Sequence, residues 1–157
     1  YFHADRMHYL VAGTPNRLEY ELGFFVKNGD GAADVKPIAH LFKTQVYDLA
    51  AHLGLPSDVR SRVPTTDTYA LPQRQDEFYF PLPHEGMDLC LHALDEGLPA
   101  SALCDVLGLE ERQVQRVFND IEAKRRVAAY LHATPTLLSP VPPRTEQDEA
   151  VLDLATQ

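Results

Sequence analysis

The residues of this chain with the most chemistry to offer lie close to glycine-rich turns. The stretch GTPNRLEYELGFFVKNGDGAADVKPIAHLFKTQ, residues 13–45, carries Thr14, Glu19 and Lys43. A hydroxyl beside a turn at the end of a strand stands where open α/β sheets bind ligands. Glu19 follows closely enough to face the same crevice and hold a hard divalent cation. Lys43, at the opening of a helix, can bring positive charge to a phosphate, assisted by the helix N-terminus. Thr65 and Thr66, in the later segment PTTD, offer further oxygens for metal or phosphate. Jointly these residues describe part of a site for a phosphate-bearing ligand. Taken singly, Glu19 is a solvated helix acid and Lys43 a surface lysine.

Several elements must position them. MHYLVAGT, residues 7–14, is an apolar run stopped by Gly13 and Thr14, which predicts a strand fed by the end of a helix. Asn16 opens a short helix over residues 16–22 that Gly23 breaks. GDGAAD predicts a turn, and VKPIAHL, with Pro37, an extended edge-like segment. In KTQVYDLAAHLG the residues Val46, Leu49, Ala50 and Leu53 recur at helical spacing. Residues 56–86 lack periodicity, and a long irregular segment inside a domain is often functional. From Met87 the pattern is helical through MDLCLHALDEG, PASALCDVLG and EERQVQRVFNDIEAKRRVAAYLHA, the last with Val114, Val117, Phe118 and Ile121 on one face. A proline-rich and then acidic tail follows. The resulting division is residues 1–86, 87–135 and 136–157.

With 157 residues, 45% hydrophobic, the chain can build one ordinary core. Its net charge of -9 argues against generic nucleic-acid binding, while a few local cations can still hold an anionic small molecule. Cys90 and Cys104 read as buried free thiols of a reducing compartment. No apolar run reaches the roughly 20 residues that span a bilayer, so the expected location is cytoplasmic, without a membrane partner. The chain begins YFHADRMHYLVAGT without a methionine at its first position, which reads as part of a longer protein.

Competing motifs are weaker. PASALCDVLGLEERQVQRVFNDIEAKRR has helix–turn–helix form and the cations Lys124, Arg125 and Arg126, but Glu110 and Glu111 at its second helix would repel phosphates. The seven histidines lack His-Glu-x-x-His spacing, and no Gly-x-Ser-x-Gly marks a hydrolase serine.

The run GTPNRLE…GFFVKNGDGAADVKPIAHLFKTQVYDLA resembles the central signature of the NAD synthase family. PTTDTYALPQRQDE resembles its mobile substrate-covering loop, and the helices ending RRVAAYLHA its C-terminal region. The resemblance implies an α/β fold: part of an adenine-nucleotide alpha-hydrolase-like, Rossmann-like parallel sheet followed by helices. It implies a cytoplasmic homodimeric ligase that amidates deamido-NAD with ATP and ammonia in the presence of Mg2+. By position it assigns Thr14, Lys43 and Thr65 to ATP, Glu19 to magnesium, and Lys27, Asp34 and His132 to deamido-NAD. It assigns the loop of Thr65, Asp76 and Glu77 to closing over the site. Ala133 stands where the family has a lysine after its histidine. The family's Ser-Gly-Gly-x-Asp-Ser loop is not in this sequence and is expected ahead of Tyr1. A non-catalytic nucleotide-binding or regulatory domain is the alternative.

Overall fold

The capping signals near Asn16 set the first well-defined element. The Asn16 side chain accepts the Glu19 N–H at 3.1 Å, and Glu19 Oε2 accepts the Asn16 N–H at 2.8 Å. This reciprocal capping box starts helix α2, Arg17–Leu22. It ends at Gly23, whose φ of 76° an L side chain rarely adopts. A Cβ there would also stand 2.8 Å from Leu131 Cδ1. The expected helix over residues 16–22 is therefore present, and glycine lets its end approach the C-terminal helix.

The computed structural model describes residues 1–66, 70 and 73–141. Part of the covering loop in PTTDTYALPQRQDE and the tail beyond residue 141 lie outside the described residues. Helix α1, Phe2–Met7, precedes α2. Then come α3, Lys43–His52; α4, Ser57–Arg60; α5, Gln75–Phe78; and α6, His84–Asp95. A 3-10 turn, Ala100–Leu103, leads into α7, Cys104–Leu107, and α8, Glu111–His132. Residues 7–14 differ from the expected strand. Met7 belongs to α1, and the run forms a single parallel bridge, Ala12 to Val35. Gly13 N–H donates to Val35 O at 2.8 Å and Asp34 N–H to Val11 O at 2.9 Å. So short a pairing cannot continue without neighbouring strands. Among the described residues the expected parallel sheet is reduced to this bridge, and the architecture is helical. Pro37 opens a turn rather than an edge strand, closed by Ala39 N–H on Lys36 O and Leu41 N–H on Ile38 O.

The core lies where α2, α6, the 3-10 turn and α8 meet. Leu18 and Leu22 of α2 face Met87, Cys90 and Leu91 of α6. Val114, Val117, Phe118, Ile121 and Ala128 form the buried stripe of α8, at the spacing of one helix face. Around this seam Arg17, Glu21, Asp95 and Arg125 join α2, α6 and α8. Arg17 contacts Glu21 and Asp95 at 2.5 Å, and Arg125 reaches Asp95 at 2.7 Å and pairs with Glu21. Burial works against the Arg125 charge, but its bonds to Asp95 and Glu21 more than offset this and raise its pKa. Lys124 binds Asp120 at 2.6 Å and Tyr79 O at 2.5 Å. Two cations of the suspected basic cluster thus serve internal contacts instead of a phosphate-binding stripe.

α3 packs more loosely. None of its residues is fully buried, and Leu53, immediately after it, is 65% exposed. Its placement comes from α6. Asp88, 5% exposed, accepts the Thr44 N–H and hydroxyl at 2.9 Å each and the Lys43 N–H at 3.4 Å. No helix among the described residues is long and apolar enough to cross a membrane.

Candidate functional site

α2 turns one face to the core and presents Glu19 to a cavity of about 820 Å3. Thr14, Glu19, Asp30, Thr65, Thr66 and Gln75 contribute its polar lining, and Phe24, Phe25 and Tyr79 belong to its aromatic side. This is the size of a small-molecule site, mostly apolar with a few convergent polar groups. The two rims come from separate segments. The turn before α2 carries Thr14, and the antiparallel bridge Thr65 to Arg74 joins the segments that bring Thr65, Thr66 and Gln75. Thr66 is fixed to Gln73 O through its N–H at 2.9 Å and its hydroxyl at 3.2 Å. Tyr79 donates to Leu22 O at 2.6 Å, and burial followed by the Asp120 charge pushes its phenol above its ordinary pKa.

Both carboxylate oxygens of Glu19 already accept from neutral groups: Oε2 from the Asn16 N–H, and Oε1 from the Gln75 amide at 3.2 Å. Neither donor cancels its charge. Among the described residues no three His, Cys, Asp or Glu side chains cluster as a metal cage. Glu19 and Asp30, the two acids of the lining, with nearby hydroxyls instead fit a magnesium ion that takes its other ligands from water and substrate phosphates.

Of the residues singled out from the sequence, Thr14, Glu19 and Thr65 share this cavity. Lys43 does not line it. Its Nζ lies 5.5 Å from the Tyr47 ring centroid and makes no ion pair among the described residues. The expected help from the α3 N-terminus meets an obstacle. The N–H groups of Lys43 and Thr44 are bonded by Asp88, and that of Phe42 by the Gln45 side chain at 2.9 Å. A carboxylate therefore already occupies the positive end of the helix. Burial raises the pKa of Asp88, and the bonds from Thr44 and Lys43 pull it partly back.

Lys27, Asp34 and His132 also stand outside the lining. Lys27 Nζ donates to Tyr130 O at 2.9 Å and Ala133 O at 2.6 Å, closing the end of α8. His132 Nε2 is 2.9 Å from Tyr20 O, and its ring rests 4.3 Å from that of Tyr20. Asp34 accepts from the Val11 N–H at 2.8 Å and the Tyr1 hydroxyl at 3.1 Å. Asp76 pairs with Arg74 at 2.6 Å, and Glu77 accepts the Arg74 N–H at 3.1 Å, so both build the start of α5. Sequence reasoning missed Gln75 and Asp88. Their partners are 56 and 44 to 45 residues away, and no local spacing signals such contacts.

The family model for NAD synthase matches residues 1–128. The chain is 61% identical over 141 residues to an NH(3)-dependent NAD(+) synthetase of Rhizobium meliloti (strain 1021), covering 90% of this chain and 42% of that protein. It is 60% identical to one from Mesorhizobium japonicum, covering 87% and 43%. The chain thus spans less than half the length of the relatives it matches. Among solved structures, it resembles an NMN synthetase from Francisella tularensis with a TM-score of 0.64 at 24% identity, over 89% of this chain and 50% of that one. An NH3-dependent NAD synthetase from Campylobacter jejuni gives 0.60 at 22%, over 88% and 49%. At such identities the likeness speaks for the fold.

Proposed function

The chain belongs to the NAD synthase family, and from that premise we propose that it supplies one part of a site that amidates deamido-NAD with ATP and ammonia. The observation carrying this reading is the convergence of Thr14, Glu19 and Thr65, from separate segments, on one cavity. The nicotinate carboxylate attacks the α-phosphorus of ATP, the bond to the bridging oxygen breaks, and pyrophosphate leaves. Ammonia then adds to the activated acyl carbon, and AMP departs as the amide forms. Adenylation is needed because a free carboxylate is a poor acyl donor.

The protein's share is positioning and charge stabilisation. Thr14 and Thr65 hold phosphate oxygens by their hydroxyls. Glu19 and these hydroxyls would hold a magnesium ion, which when bound offsets the charge of the phosphates. Lys43 reaches the phosphates by rotating off the Tyr47 ring, a move that breaks no ion pair among the described residues. Lys27, Asp34 and His132 take deamido-NAD in this reading. Their partners are backbone groups or the neutral Tyr1 phenol, so a charged ligand can compete for them. The segment through Thr65 and residues 73–77 closes over the adenylate and keeps water away. A cytoplasmic homodimer belongs to the same proposal. Apolar side chains left exposed at Leu49, Leu53, Leu55 and Val59 are surface that an assembly would cover.

Glu19→Gln in the intact enzyme tests the central role. Glutamine keeps the capping box, since it too accepts the Asn16 N–H, but removes the charge. Magnesium-dependent pyrophosphate release should fall by about 10²–10³-fold with the melting temperature nearly unchanged. Wild-type-like release at ordinary magnesium would remove Glu19 from the reaction.

A further inference from the structure

Glu19 is held at both carboxylate oxygens, by groups from separate segments. Oε2 accepts the Asn16 N–H at 2.8 Å inside the capping box, and Oε1 accepts the Gln75 amide at 3.2 Å. The first bond closes over three residues and the second over 56. The last torsion of a glutamate is broad, so a bond at one oxygen leaves the carboxylate plane free to turn. A bond at each oxygen fixes it. Asp30, the other acid of the lining, accepts the Val26 N–H at 2.8 Å within its own turn, so the bond from Gln75 serves Glu19.

α5 does not need this bond for its own placement. Gln75 N–H donates to Pro64 O at 3.3 Å, and Gln75 O accepts the Tyr79 and Phe80 N–H groups at 2.8 and 3.1 Å. Tyr79 in turn donates its hydroxyl to Leu22 O and accepts from Lys124 Nζ at its carbonyl, while Phe80 is buried in the core. The Phe24 ring lies 4.8 Å from that of Tyr79 and 5.6 Å from that of Phe80. The end of α5 is thus fastened to α2 and α8, and Gln75, one turn earlier, is carried to Glu19 as a fixed donor.

The chemistry of that donor suits a metal ligand. An amide is neutral and leaves the carboxylate its full charge, which a lysine or arginine here would offset. An ionised carboxylate has about four lone-pair sites, so two hydrogen bonds leave room for a cation. Carboxylates that bind metals are oriented by such outer hydrogen bonds.

We infer that Gln75 is a positioning residue for Glu19, its amide fixing the plane in which the carboxylate meets a divalent cation. The inference rests on the magnesium role proposed for Glu19 and adds a partner that acts through it.

The test is titration of the intact enzyme with Mn2+ in place of magnesium, read by electron paramagnetic resonance. An ATP analogue with a methylene between the α- and β-phosphorus is present, so that no adenylation occurs. Gln75→Met keeps the length of the side chain and removes its donor. It should bind Mn2+ about tenfold more weakly with the melting temperature nearly unchanged, because Tyr79 and Phe80 still hold α5. Gln75→Asn, whose amide falls a methylene short, should lose affinity likewise. On a Glu19→Gln background, Gln75→Met should add no more than about twofold, since it acts through that carboxylate. In pyrophosphate release with ATP itself, half-saturating magnesium should rise by the same factor while the saturated rate is kept.

Wild-type affinity in the folded Gln75 variants, or a second loss of about tenfold on the Glu19→Gln background, overturns the inference. If Glu19→Gln loses Mn2+ and Gln75→Met does not, only the positioning role falls. If Glu19→Gln binds Mn2+ like the wild type, Glu19 leaves the metal site and this inference falls with it. If the wild-type enzyme forms no NAD, the amidation reading falls, and the Mn2+ titrations still decide the role of Gln75.

Discussion

Between α2, α6 and α8 the contacts are those of a dry interior: Leu18, Met87, Leu91 and Ile121 are each no more than 1% exposed. Around Glu19 and Thr65 the chain does the opposite, with turns, one-residue bridges and hydroxyls facing open space. The two regions meet on a single helix of six residues. Leu18 and Leu22 fasten α2 to the core, and Glu19 between them is delivered to the cavity rim. The helical seam thus provides rigidity, and the loops provide chemistry that a packed seam could not accommodate without burying unpaired polar groups. α3 is intermediate, with little burial of its own and a polar anchor at Asp88.

The largest effect should come from the seam. Ile121→Ala leaves a cavity where α8 meets the core and should cost roughly 2–5 kcal/mol of stability. Thermal or denaturant unfolding measures this, and activity per folded molecule should persist. A loss well below that range would mean the seam relaxes more freely than its burial suggests.

A smaller loss is expected at Asp88. An alanine in its place would present no acceptor to α3, leaving the N–H groups of Lys43 and Thr44 without this partner. Asp88→Ala should therefore lower stability at neutral pH by about 1–2 kcal/mol. The pH dependence has a definite sign. Burial raises the folded-state pKa of Asp88 above its unfolded value. Its contribution is thus full below about pH 4, the ordinary aspartate value, and is lost as pH rises through the folded pKa. The stability gap between wild type and variant should be widest in acid and narrow towards neutrality. Melting curves of both proteins at several pH values would show it, and a gap that widens with pH would contradict the assigned direction.

The smallest effect is a near absence of reaction. Burial pushes the Cys90 thiol up to about 11, so at neutral pH its thiolate is on the order of one part in ten thousand. Iodoacetamide should label half-buried Cys104 first and leave Cys90 intact in the folded protein. Mass spectrometry reads the order, and equal labelling rates would mean that the α6–α8 seam opens readily.

Much of the fold was legible wherever hydrogen bonds close within a few residues or apolar side chains repeat along one helix. Asn16 and Glu19 cap each other across three residues, Gly23 stops the helix they begin, and Val114, Val117, Phe118 and Ile121 lie on the face that is buried. The sheet was less legible. An apolar run such as residues 7–14 states only that it can pair, and pairing also needs partner strands. Thr14, Glu19 and Thr65 line a common cavity. Lys43 was placed at the right helix end, but its side chain rests on Tyr47, outside that cavity.

By itself, then, the sequence determined the local elements and the residue types available for phosphate and metal chemistry, since caps, turns and helical stripes depend on near neighbours. Only the tertiary structure decided that Gln75 would hold Glu19 and that Asp88 would occupy the N-terminus of α3. These contacts join segments far apart in the chain. Their formation depends on how the core brings α2, α3 and α6 together, which no short-range spacing encodes.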